Sequence, residues 1–313
     1  IIAQASGTNP DNLNGTISLE NIVYTSSSDS VATGSMLITG RNNPQYKFLS
    51  LESEFADARF ISRLSYLEVF DYLRHVIYDY IPALATGDTH HAYHRDVDEE
   101  NRMSRSGTSR FKLNVKKANN VAAIFVPGFS IAEGTNIDFL FNPSTETMTL
   151  KAESEFLEYG KFLVTELAVN ADNTTAPDTL NIYFQSKDLY FPGYSAPSSS
   201  VHAKASADRL GVTARISDQE TDINATFDIN AWFGRRLDGS LEVNGKFAPS
   251  YISTANQTWR IFDEGVTYDP EGIYINNFRI VNGTQELYAG GAISNSRSDT
   301  LRIELKELDA ALF

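Results

Sequence analysis

The sequence contains no cysteine, and its 26 Lys and Arg are outnumbered by 40 Asp and Glu. Without cysteine there are no disulfides, no thiolate metal sites and no cysteine nucleophiles. A formal net charge of −14 repels phosphate backbones and anionic lipid surfaces, which argues against nucleic-acid partners. No run approaches the roughly 18 apolar residues of a membrane-spanning helix, and the first residues carry no signal-peptide pattern. The chain opens on Ile1 rather than Met, as expected of a soluble piece of a longer protein.

Catalytic signatures are also missing. There is no H-E-x-x-H zinc motif, no phosphate-binding G-x-x-x-x-G-K-[ST] loop and no G-x-G-x-x-G fingerprint. "GYSAP" around Ser195 and "GFSIA" around Ser130 lack the closing glycine of the nucleophile elbow. His90, His91 and His94, with Asp88, Asp96 and Asp98, form the one metal-like cluster. It falls in residues 86–110, a polar stretch without apolar periodicity, which reads as a surface loop or disordered insertion and offers no fixed tetrahedral frame. The expectation is a non-enzyme with no cofactor and no resident metal.

What the sequence does hold is strand after strand. "TLRIELKEL" sets Leu301, Ile303 and Leu305 against Arg302, Glu304 and Lys306, and "DINATFDINAWF" sets Phe227 and Ile229 against Thr226, Asp228 and Asn230. One apolar face and one polar face, repeated, predict mainly antiparallel sheet buried on one side. Turn signals such as "NPS", "LDGS" and "DPEG" separate the strands. "TWRIFDEGVTYDPEG" starts another pair with Trp259 and Ile261; Trp259 reads as a core anchor, with a groove wall as the alternative.

"GIYINNFRIVNG" alternates and then slips. Ile273 and Ile275 share a face, but the apolar series resumes at Phe278 and Ile280, one residue out of phase. The same offsets of 0, 2, 5 and 7 recur at Ile17, Leu19, Ile22 and Tyr24, and at Phe162, Val164, Leu167 and Val169. One extra residue in a strand is a β-bulge, which bends and twists it. Repeated bulges predict a sheet curled into a trough or half-pipe about its apolar face.

One segment is helical. In "YLEVFDYLRHVIYDYIPAL", Val69, Phe70, Leu73, Val76, Ile77, Tyr80 and Ile81 gather within an arc of about 140° at helical spacing. Pro82 ends the helix, whose apolar arc is expected to pack on a sheet. "NNVAAIFVPGF" adds a short helix before Pro127. The organisation expected is a β region with an amphipathic helix (1–85), the polar insertion (86–110) and a β-groove region (111–313).

The run from Trp259 to Leu308, with its "INNFRI" strand, "NGTQELYAGGAIS" turn-and-strand and "DTLRIEL" strand, resembles the TamB family of translocation and assembly module proteins in its Bacteroidetes form. "FADARFISRLSYLEVFDYLRHVIYDYIPAL" resembles that family's strand-to-helix segment. The resemblance implies an AsmA-like, bridge-like lipid-transfer protein with a half-pipe of apolar interior. It also implies a periplasmic location between an inner-membrane anchor and the outer membrane, phospholipid acyl chains as cargo, and a BamA-family (TamA-like) outer-membrane partner. It carries no catalytic residues. The helix and the 86–110 insertion depart from a simple tube.

The candidate groove lining is therefore Ile17, Leu19, Phe162, Val164, Phe227, Ile229, Trp259, Ile261, Ile273, Ile275, Phe278, Ile280, Leu301, Ile303 and Leu305. The alternative is a β-rich surface adhesin or glycan-binding module, which would present aromatic platforms on loops. "DSV" at Ser30 and "DTL" at Thr179 and Thr300 resemble the O-glycosylation acceptor pattern of extracytoplasmic Bacteroidetes proteins. Asp followed by Ser or Thr is equally an ordinary turn entry into a strand.

Overall fold

A computed structural model describes residues 1–25, 30–43, 45–85, 107–254 and 256–307. They are mainly β: 21 strands lie in antiparallel sheet and two more form a separate hairpin. The chain divides into two units, whose described residues are 1–76, 107–177 and 183–195 in the first, and 77–85, 178–182 and 196–307 in the second.

In the first unit β1 (Ile2–Ser6) and β2 (Asn14–Leu19) are followed by the hairpin of β3 (Ile22–Thr25) and β4 (Ser30–Thr33). Then come β5 (Met36–Gly40), β6 (Lys47–Ser53), β7 (Ala56–Ser62) and the helix α1 (Tyr66–Tyr80), of which residues 66–76 belong to this unit. After them run β8 (Ser109–Val115), the short α2 (Asn119–Phe125), β9 (Phe129–Ile131), β10 (Asn136–Asn142), β11 (Thr147–Tyr159) and β12 (Phe162–Asp172). β13 (Leu180–Phe191) adds residues 183–191. The pairing order is β1–β2–β5–β6–β7–β8–β10–β11–β12, with β9 beside β11.

The expected boundary at 86–110 is not a boundary of the sheet. β8 starts at Ser109, inside that stretch, and pairs with β7 along Ile61↔Arg110 to Ala56↔Val115. Strand pairing is non-local, so a polar insertion between two neighbouring strands looks like a linker in the sequence. Residues 86–106, with the histidine cluster, lie outside the described residues.

The second unit takes β14 (Tyr194–Ser206) from Ala196 onward, then β15 (Arg209–Asp218) and β16 (Ile223–Arg235). β17 (Leu241–Phe247) and β18 (Ser250–Ser253) both pair with β16. β19 (Thr258–Phe262) and β20 (Gly265–Asp269) pair in turn with β18 and β17. β21 (Gly272–Asn282), β22 (Gln285–Ser294) and β23 (Leu301–Lys306) finish the sheet.

α1 starts with a capping box that satisfies two helix-end donors reciprocally. Glu68 N–H donates to Ser65 Oγ at 3.2 Å, and Ser65 N–H donates to Glu68 Oε2 at 2.8 Å. Tyr66 N–H donates to Asp11 Oδ1 at 2.8 Å. Pro82 opens a 3-10 turn over Pro82–Leu84, as its missing N–H requires. In the second unit Asp208, at φ 60° in the β14–β15 turn, fastens that end: its N–H donates to Tyr80 O at 3.0 Å and its Oδ1 accepts Ala83 N–H at 2.7 Å.

The buried stripe of α1 is narrower than the periodicity predicts. Val69, Val76 and Tyr80 are each 3% exposed, whereas Ile77 is 47% exposed. At 100° per residue Val69, Leu73, Val76 and Tyr80 span about 60°, and Ile77 lies off that arc by about another 40°. Leu73 and Ile81 are half-buried, and the side chain of Phe70 lies outside the described residues.

Candidate functional site

The three phase slips share one backbone cause. Asn21, Glu166 and Asn277 each stand four residues after the first apolar residue of their repeat, and their φ values are 52°, 46° and 50°. Non-glycine residues adopt left-handed backbone only rarely, so three at one offset mark a repeated device. Its consequences differ. At Asn277 the strand stays in the sheet, and Ile275↔Gly291 is followed by Phe278↔Ala289, three residues against two. At Glu166 the ladder runs from Ser154↔Leu167 to Phe156↔Thr165, with Glu155 and Glu166 dropped between. At Asn21 the chain leaves the sheet, so Ile22 and Tyr24 belong to the β3–β4 hairpin rather than to a bulged continuation of β2.

The bulge at Asn276–Asn277 has neighbours at the same level. β16 against β17 and β18 runs from Ile229↔Phe247 to Thr226↔Tyr251, three residues against four. There Ser250 Oγ takes the N–H of Asp228 at 2.8 Å, and Ala248 N–H reaches Asp228 O at 2.7 Å. Between β19 and β20, the Asp263 carboxylate accepts Phe247 N–H at 3.1 Å, and Glu264 N–H donates to Asn276 O at 2.9 Å. Asn277 Nδ2 donates to Glu264 Oε1 at 2.6 Å. Side chains and irregular backbone thus satisfy the groups that the broken ladder leaves open. Three adjacent strand lines carry the extra residue together, so the apolar set keeps its face across the break.

Register shows what that preserves. In the second unit one row of partners reads Ala205, Leu210, Ala231, Gly245, Val266, Ile275, Gly291 and Leu301 across eight strands. Beyond the bulges Ile261↔Ile280↔Leu287↔Leu305 and Phe278↔Ala289↔Ile303 continue it. The Phe247 and Phe278 rings, one on each side of the break, stand 5.7 Å apart. Phe227 pairs with Ala214, and Trp259 with Ile252, which pairs with Ala225.

The first unit is more regular. Ala3, Ile17, Ile38, Leu51, Ala58, Leu113, Ile137, Ala152 and Val169 form one row across nine strands. The next row on that face reads Ala5, Gly15, Gly40, Leu49, Phe60, Phe111, Phe139, Leu150 and Ala171. The row between them, on the opposite face, is Gln4, Thr16, Thr39, Ser50, Arg59, Lys112, Asp138, Lys151 and Asn170. Side chains alternate across a strand, so these three rows separate apolar from polar groups, while the next row on the polar face mixes Phe48, Ile61 and Leu140 with Arg110.

Of the expected groove residues, Ile17, Leu19, Phe162 and Val164 belong to the first unit and the rest to the second. Ile261 is 5% exposed, while Ile303 and Leu305 on β23 are 61% and 58% exposed. Phe162 stands 48% exposed at a turn rather than within the face. Thr300 is exposed and Thr179 half-buried, and the side chain of Ser30 lies outside the described residues. The first-unit rows from Ile38 to Ile137 went unread because their strands are seven residues or shorter. Small residues hid the bulge at Ala248–Ser250.

On the polar face, Asp138 lies 2.5 Å from Arg110 and 3.3 Å from Lys112, and Asp57 lies 2.7 Å from Lys116. The Arg110 hydrogen bond leads in holding the Asp138 carboxyl below the usual carboxylate range. These exposed charges pair with one another and form no nucleophile–base arrangement. Among the described residues no group of three or more His, Asp or Glu is placed to hold a metal.

The first turn of α1 covers part of the first-unit face. The Tyr66 ring sits 4.7 Å from that of Phe60, and its hydroxyl is buried without a hydrogen-bond partner. Burial, and secondarily Asp11, pushes the Tyr66 phenol up to about 12. Below pH 10 the phenol is neutral in both states. Between about 10 and 12 only the unfolded chain ionises, so stability falls as pH rises through that window. Tyr66→Phe is expected to leave neutral-pH stability unchanged or raise it by about 1 kcal/mol, and to flatten that alkaline loss in urea titrations.

No protein-family model, curated protein or solved structure matches the chain. The assignment of function therefore rests on the faces themselves.

Proposed function

We propose that the chain is a non-catalytic β-scaffold whose apolar faces hold phospholipid acyl chains. In this proposal it is a periplasmic segment of a TamB-like protein that reaches from the inner to the outer membrane. It guides lipid along the face, supports outer-membrane protein assembly beside a BamA-family partner, or does both. The observation that carries this is the pair of uninterrupted apolar rows across nine strands. Their residues Ile38, Leu51, Leu113, Ile137 and Val169 are half-buried rather than sealed. A path of that kind offers acyl chains about 0.8 kcal/mol per buried CH₂. Bulges at one level on adjacent strands favour curling of a sheet, which would wrap the face around its cargo. Native mass spectrometry of gently purified protein is expected to find retained phospholipid. Lipid-free protein that binds sugars instead would overturn the proposal in favour of a glycan-binding module, a reading that the exposed Tyr159 and Tyr194 keep in view.

A further inference from the structure

Three turns meet at one end of the first-unit sheet, and each carries exposed apolar side chains. α2 runs into a turn at Val126–Gly128, where Gly160 N–H donates to Gly128 O at 2.9 Å. β11 and β12 join through Gly160 at φ 63°, flanked by the partners Tyr159 and Phe162. β13 and β14 join through Pro192 and Gly193 at φ 85°. The Phe162 and Phe191 rings meet edge to face at 5.7 Å, which ties the second turn to the third. Phe125 and Tyr194 are each 78% exposed, Tyr159 54%, Phe162 48%, Val126 44% and Phe191 43%. Pro and glycine shape these turns, so the tips project without presenting an unpaired strand edge to a peptide.

We propose that this aromatic end inserts into the interface of a zwitterionic phospholipid bilayer. Phe and Val at the tips have no polar atom to offer a sugar, which needs hydrogen-bonding groups beside its stacking ring. Rings with one polar end, as in Tyr159 and Tyr194, suit the boundary between headgroup and acyl chain. Lys161 is the only charge in the β11–β12 turn, and the net charge of −14 opposes anionic surfaces, so a neutral bilayer is the partner that fits. The proposal needs only these turns and holds whether or not the sheet face carries lipid.

Flotation with vesicles of pure phosphatidylcholine tests it, using the full chain and the variant Phe125→Asp/Phe162→Asp/Tyr194→Asp. Phe125 and Tyr194 are the most exposed of the three, whereas Phe162 also packs on Phe191, so thermal melting of the variant serves as the fold control. The wild type is expected to float with vesicles, and the variant to lose at least tenfold in bound fraction. Acyl-chain retention measured by native mass spectrometry should stay the same in both, which separates this site from the sheet face. A wild type that stays at the bottom of the gradient overturns the proposal, as does equal flotation of both proteins. Sugar binding lost in the variant without vesicle binding in the wild type would assign the end to a glycan and overturn it too. If the variant melts lower, single Phe125→Ser and Tyr194→Ser proteins are read by the same flotation, and unchanged binding in both overturns the proposal.

Discussion

Deleting Asn277 should cost the second unit about 1–2 kcal/mol in urea unfolding without turning any apolar side chain to the polar face. Side chains alternate with a period of two, so once Asn277 is gone Ile273, Ile275, Phe278 and Ile280 fall at even spacing and keep one face, meeting Gly291 and Ala289 two against two. What is lost is the Asn277–Glu264 hydrogen bond and the match to the extra residue between β19 and β20, where Glu264 N–H donates to Asn276 O. Phe278 keeps its place beside Phe247, 5.7 Å away. Point substitutions separate register from strain. Asn277→Gly keeps the extra residue and suits φ 50°, so it should be neutral within about 0.5 kcal/mol, whereas Asn277→Val should cost about 1–2 kcal/mol through its β-carbon alone. A loss of about 3 kcal/mol or more in the deletion would contradict this even spacing and show that the bulge itself holds the face.

Phe141→Ala should be the most damaging single substitution in the first unit, at about 3–5 kcal/mol. Phe141 is 0% exposed and is the one large apolar side chain among those buried beyond 98%. It pairs with Ser109 on one side and Met148 on the other. The Ser109 hydroxyl is held 2.7 Å from that of Ser62, and Asn173 Oδ1 accepts Met148 N–H at 2.6 Å. These polar groups are buried and already hydrogen-bonded around the Phe141 ring, so a cavity there cannot collapse cheaply. Lys112→Ala on the polar face should stay within about 0.5 kcal/mol. A Phe141→Ala loss below about 1 kcal/mol would show that the buried Phe141 ring does not anchor the unit.

The strands were legible because a two-residue period is local, and so was the break at Asn276–Asn277, where four large apolar residues flank it. The matching breaks were not. Gly245 and Ser250 stand where the apolar count needs large side chains, and Asp263–Glu264 reads as a turn. A bulge is a relation between two strands, and its partner is set by register that no single strand contains. The same limit made residues 86–110 look like a boundary when β7 and β8 pair across them. Ile77 was misplaced because helical periodicity gives an apolar arc but not the width that a neighbour covers. The aromatic turn cluster was invisible for a different reason: Phe125, Phe162 and Tyr194 come from three turns that only the fold assembles.

The most direct measurement of the central claim is photo-crosslinking with a phosphatidylcholine that carries a diazirine at the end of one acyl chain, followed by peptide mapping. Labelled residues should fall on the apolar rows, among Leu51, Leu113 and Ile137 in the first unit and Val266, Ile275 and Phe278 in the second. The intervening polar row of Arg59, Lys112 and Asp138 should stay unlabelled, although it is only one residue away along each strand. Labelling of the polar row equal to that of the apolar rows, or no crosslink to either face, would contradict an acyl-chain path on this sheet.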